Sequence, residues 1–222
     1  MAQLDKHKEY KDSIYNIYNF DIDTFQRVLF GGKAEKENKG ILDFDLNQII
    51  KGIKVEFEHT DSVNVAIAIV MDHLSEFDNY YDALAKTELS LSQNPQRGKI
   101  KVSGDYKQYQ ERIKQEFQFD IKNFNPALKD GIFETHHRRI TDFSIEQIVK
   151  GIRVELEHSN QINDALDIAL DHLDKFYNYY DGLEKMEKVL EKSLVSEIPS
   201  KCRNQNDKIL TCGDNDAISF AY

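Results

Sequence analysis

Two short patterns in this chain carry groups able to hold a metal ion or move a proton. Glu56-x-x-His59 sets a carboxylate and an imidazole one helical turn apart, and Asp72-His73 follows it. Both patterns recur, as Glu155-x-x-His158 and Asp171-His172. Residues three apart share a helix face, which is how a helix offers Glu and His to iron or zinc. The candidate metal ligands are therefore Glu56, His59, Asp72, His73, Glu155, His158, Asp171 and His172, with Glu88 and Glu187 as additions. Such oxygen and nitrogen donors suit zinc, iron or manganese. The competing reading, and the leading one, is a buried structural Glu–His network that needs no cofactor. His73 falls three after Val70 and four before Phe77, on an apolar stripe, and Glu56 falls three after Ile53. Helices joined by a short loop pack antiparallel, so Glu56 is expected to meet His73, and Glu155 to meet His172, inside each copy. Burying such a pair is costly unless both members are partnered.

These patterns repeat because the chain is duplicated. Adding 99 to a residue number carries Phe20-Asp21-Ile22 onto Phe119-Asp120-Ile121, and Lys51-Gly52-Ile53 onto Lys150-Gly151-Ile152. The same shift carries Tyr80-Tyr81-Asp82 onto Tyr179-Tyr180-Asp181. A repeat in register reduces the fold question to one unit used twice. The expected domains are 1–89 and 105–192, with a linker at 90–104 that contains Pro95 and Gly98, and a polar tail at 193–222.

Each unit reads as all-α, a small bundle of four or five helices. Tyr10, Ile14, Ile17 and Tyr18 recur at helical spacing, as do Tyr106, Tyr109, Ile113 and Phe117. A short helix is expected after Asp21 and Asp120, ended by Gly31-Gly32 and by Gly131. Asp45 to Gln48 and Ser144 to Gln147 fit a capping box at the start of the next helix. Gly52 and Gly151 inside that helix imply close approach of another backbone. Residues 53–58 also alternate as a strand would, although no partner strand is visible. Thr60-Asp61 and Ser159-Asn160 read as turn and N-cap residues before a strongly amphipathic helix. The closing helix, with its Tyr-Tyr pair, reads as core packing.

Composition narrows the function classes. The formal charge of −10 disfavours nucleic acid, whose phosphates such a surface repels. His136 to Arg139 is the one short basic run and reads as a solvated loop, because the first copy has Glu37-Asn38-Lys39-Gly40 there. No apolar run is long enough to span a bilayer, and the N-terminus lacks a secretion signal, so a cytoplasmic protein is expected. Cys202 and Cys212 lie in the tail and read as free thiols, while Ile218 to Tyr222 is the tail's apolar end. No catalytic residue is assigned. From Phe44 to Glu88 no cysteine or serine occupies the same place in both copies, and neither copy has a glycine-rich phosphate loop. A hydrolase using the carboxylates ranks last, for want of a substrate clue.

From Gly52 through Val55-Glu56-Phe57-Glu58-His59, then Asp72-His73-Leu74, Glu76 and Tyr80-Tyr81, the chain resembles an uncharacterised domain family of phage and bacterial proteins. The second copy matches at Gly151, Val154 to His158, Asp171 to Leu173 and Tyr179-Tyr180, and departs at Lys175, where the family pattern has Glu. The resemblance implies a bacterial cell or phage-infected host and carries no activity. The functional expectation is a non-enzymatic structural or protein-interaction module, partnered by another protein or by itself. The alternative is a metal-binding helical protein.

Overall fold

The computed structural model describes residues 2–28, 31–93, 105–126, 131–159 and 161–197. The linker residues 94–104, both cysteines and the apolar end of the tail lie outside the described residues. Among the described residues there are α-helices and 3₁₀ turns and no strand. The first repeat runs α1 (Ala2–Tyr18), α2 (Lys33–Lys36), α3 (Leu46–Glu56), α4 (Val63–Glu76) and α5 (Tyr80–Gln93). The second runs α6 (Tyr106–Phe117), α7 (Ile132–Thr135), α8 (Ile145–Glu155), α9 (Ile162–Lys175) and α10 (Tyr179–Glu197). No described helix is long and apolar enough to cross a membrane.

The apolar stripes pack where their spacing directs them. Ile49 and Ile53 of α3 are fully buried with Ala66, Ile67 and Val70 of α4, and Ile148 and Ile152 of α8 with Ala165, Leu166 and Ala169 of α9. The opening helix of each repeat is fixed by one buried phenol: Tyr10 donates to the Phe44 carbonyl at 2.6 Å, and Tyr109 to the Phe143 carbonyl at 2.6 Å. Residues 53–56 are helical, and a turn over 57–59 carries the chain to His59. The helical hydrogen bonds, from the Phe57 amide to the Ile53 carbonyl at 3.1 Å for example, use the groups a strand would have needed.

Several local expectations are corrected. The segment after Asp21 is a single 3₁₀ turn, Ile22–Thr24, matched by Ile121–Asn123. Gly32 and Gly131, expected as helix ends, stand as the N-caps of α2 and α7. The N-caps of α4 and α9 are Ser62 and Gln161, one step beyond the expected pair, while Thr60 and Ser159 accept from the amides of Ser62 and Gln161. Asp45 caps α3 by accepting from the Gln48 amide at 3.0 Å, but the Gln48 side chain reaches away and accepts from the Tyr81 amide. Ser144 makes no such side-chain cap. Gly52 and Gly151 are required by rings, not by a backbone: a Cβ there would lie 2.5 Å from the ring of Tyr81 or Tyr180.

Candidate functional site

The groups able to do chemistry meet where the two repeats face each other. Glu56 and Glu155 end α3 and α8, and the turn that follows each helix brings His59 and His158 round beside them. His73 and His172 lie in the last turns of α4 and α9. The pairing crosses between repeats. The His59 ring contacts the His172 ring edge-on, centroids 4.5 Å apart, and the His73 ring contacts the His158 ring at 4.6 Å. Since 172 is 73 + 99 and 158 is 59 + 99, one contact is the other with the repeats exchanged. That reciprocity is the signature of a two-fold interface, here built within one chain.

Within the second repeat a carboxyl also lies near an imidazole. Oε1 of Glu155 lies 3.7 Å from Nε2 of His172, with both side chains about nine-tenths buried. In the first repeat Glu56 and His73 converge on one ring: the Tyr81 hydroxyl donates to Glu56 Oε1 at 2.9 Å, and the His73 ring lies 6.1 Å from that of Tyr81. Tyr180 donates to Glu155 Oε1 in the same way, at 2.8 Å. His73 stacks flat on Tyr80 and His172 on Tyr179, each with ring centroids 4.2 Å apart. Tyr80, Tyr81, Tyr179 and Tyr180 thus belong to the site, beyond the residues that the Glu-x-x-His and Asp-His patterns name. The signal that would have found them was the Tyr-Tyr pair recurring in register with the Glu-x-x-His pattern.

Burial sets the protonation states. It raises Glu56 from an ordinary 4.5 to about 7 and Glu155 to about 8, the tyrosine hydroxyls pulling weakly the other way. The Glu56 carboxyl adds to the rise at Glu155. Burial lowers His59 from 6.5 to about 3 and His158 to about 4, and drives His73 and His172 well below their usual value. The four imidazoles are therefore neutral at neutral pH, and the two carboxyls hold their protons up to the neutral range. Both ring nitrogens of His59 and of His158, and Nδ1 of His172, are shut off from solvent without a hydrogen-bond partner.

Asp72 and Asp171 do not join the cluster. As neighbours of His73 and His172 they point to another side of the helix, and each accepts from the start of a short helix: the Ala34 amide donates to Asp72 at 2.9 Å and the Phe133 amide to Asp171 at 2.8 Å. Gly32 leaves room for this, since a Cβ there would lie 2.0 Å from Asp72 Oδ2. Asp72→Ala is expected to cost about 1 kcal/mol, as loss of an N-terminal helix cap does. Urea denaturation checks this; a change within error would assign Asp72 another role.

The pseudo-symmetry is broken in two places. Lys175 of α9 pairs with Glu58, whereas the exchanged position has Glu76; partial desolvation, and after it the Glu76 charge, raises Glu157. The run His136 to Arg139, expected as a solvated loop, is anchored. Asp174, 1% exposed, accepts from the Arg138 guanidinium at 2.9 Å and contacts His136, while Arg138 also reaches the Tyr177 hydroxyl. The first repeat has Lys39, Ser75, Glu37 and Asp78 at these four places, so this network belongs to the second repeat alone.

Among the described residues no three His, Cys, Asp or Glu side chains stand ready as a metal-ligand array. No curated protein and no solved structure matches the chain. A family model described as "Protein of unknown function (DUF5661)" matches it twice, over residues 5–90 and 107–189. With both repeats matched and most of the chain covered, the protein belongs to the DUF5661 family and carries its domain in two tandem copies.

Proposed function

We propose that the chain is a non-enzymatic structural or protein-interaction module, a two-fold pair of helical domains fused into one polypeptide. The reciprocal contact of His59 with His172 and of His73 with His158 carries this reading. The groups best able to do acid–base chemistry face one another across the repeat interface, stacked on Tyr80 and Tyr179 and held by Tyr81 and Tyr180. A pair built this way presents each outward surface twice, which suits a partner that is itself two-fold or is bound in two copies.

The experiment replaces all four cluster histidines by leucine, with chelator present. A structural interior tolerates well-packed apolar residues in place of buried polar ones, often with unchanged or higher stability. The expected variant keeps its helix content and unfolds at the wild-type urea midpoint or above it. A variant that expresses but has lost its cooperative transition contradicts the reading.

A further inference from the structure

The network that breaks the duplication also holds a histidine in a reactive orientation. The Asp174 side chain is fully buried, and a carboxylate so placed needs partners. Arg138 supplies the opposite charge, donating from Nε to Oδ1 at 2.9 Å, and its guanidinium lies over the rings of Phe143 and Tyr177. Oδ2 of the same carboxylate contacts Nδ1 of His136, whose side chain is 51% exposed. A carboxylate only accepts, so the neutral His136 ring carries its proton on Nδ1 and a lone pair on Nε2. Among the described residues nothing is hydrogen-bonded to that Nε2. A carboxylate fixing one ring nitrogen while the other stays free is how an imidazole is readied to attack an electrophile. The first repeat has Glu37 for His136 and Ser75 for Asp174, and so lacks both parts.

The surroundings select the electrophile. His136 to Arg139 is the one short basic run of a chain whose formal charge is −10. Arg138 shares the Asp174 carboxylate with His136, so its charge stands beside the ring. Arg139 reaches Asp142 at 2.9 Å and its side chain stays 79% exposed. Local cations in an acidic protein draw an anionic reagent, and guanidinium groups suit phosphoryl oxygens. We propose that His136 is a phosphoryl-accepting residue, modified at Nε2 by an acyl phosphate or a phosphorylated nitrogen compound. The Nε2 lone pair forms a bond to phosphorus as the bond from phosphorus to the leaving group breaks. The departing carboxylate, or the departing amine that already holds its protons, takes that electron pair. The ring becomes cationic, keeps its Nδ1 proton, and is stabilised by the Asp174 carboxylate. No further proton has to move. This goes beyond the fused-pair reading, which stands whether or not His136 is modified.

The test treats the full chain with phosphoramidate at neutral pH and follows it by phosphorus NMR and peptide mass spectrometry. The chain supplies its own controls. His137 is exposed and adjacent, and His7 has its Nε2 engaged by Asp23 at 2.8 Å. The expected result is phosphorylation at Nε2 of His136 about tenfold or more faster than at His137, the factor one charge-assisted hydrogen bond to the cationic ring supplies. His136→Gln is expected to abolish the fast reaction, and His137→Gln to leave it unchanged. Asp174→Asn, a change at a positioning residue, is expected to slow it by the same factor. Nitrogen-15 NMR of the wild-type chain is expected to place the neutral proton of His136 on Nδ1, a readout that needs no variant to fold. Equal rates at His136 and His137, or a neutral His136 ring protonated on Nε2, overturn the proposal.

Discussion

Tyr180→Ala is expected to destabilise the chain by about 3–5 kcal/mol, the usual loss for deleting a buried aromatic side chain, with a further penalty for the carboxyl it abandons. The ring is 2% exposed, its hydroxyl donates to Glu155, and its edge fills the space that Gly151 leaves. A Cβ at Gly151 would lie 2.5 Å from that ring and 2.8 Å from Ala169 Cβ. Gly151→Ala alone is therefore expected to cost about 1–3 kcal/mol through overpacking. In the Tyr180→Ala background it should cost clearly less, because one of its two obstacles has gone. Tyr180→Phe separates the contributions: it keeps the ring and gives up only the hydrogen bond, for about 1–3 kcal/mol. Urea denaturation of the four variants reads all of this. Additive losses would show that Gly151 and Tyr180 do not share one space.

The second large effect is in pH. Between 4.5 and 6.5 the unfolded chain carries protons on four imidazoles that the fold keeps neutral, whereas the fold keeps protons on two carboxyls that the unfolded chain gives up. The unfolded state thus binds more protons, and the cluster's contribution to stability rises with pH across that window, by roughly 1.4 kcal/mol per unit for each proton in excess. Above 6.5 the unfolded imidazoles are neutral and only the carboxyls count. Stability then falls as pH climbs through the folded values of about 7 and about 8. For the metal-free chain the cluster's contribution peaks near pH 6.5. The Glu56→Gln, Glu155→Gln double variant, which keeps an acceptor for each tyrosine, is expected to lose the decline between pH 6.5 and 8. A decline of equal size in that variant would place its origin outside the cluster.

Much of this arrangement was legible in the sequence, because periodicity states which residues share a helix face. The stripe through Ile49 and Ile53 predicted α3, and it placed Glu56 on the buried side. The position of His73 between Val70 and Phe77 likewise predicted an inward imidazole. Periodicity does not state what covers a face. His59, three residues after Glu56, contacts His172, a residue far away in the chain. Nothing in a run of residues distinguishes two adjacent bundles from two that share an interior. Asp72 and His73 are neighbours, which diverge on a helix, and this much is readable from the sequence; that the carboxylate caps α2 is not. Gly32 was read as a stop because glycine often ends helices. Here its lack of a side chain is what admits Asp72, a long-range reason that local propensity does not carry.

The central claim is that the repeats share one interior through reciprocal histidine contacts. A double-mutant cycle on His59→Ala and His172→Ala, in metal-free protein unfolded by urea, tests it most directly. Touching rings in different repeats should show a coupling of about 0.5–1.5 kcal/mol, larger than that of His59 with His73 in its own repeat. Losses for His59 and His172 that add to within about 0.3 kcal/mol would mean the two repeats do not meet there.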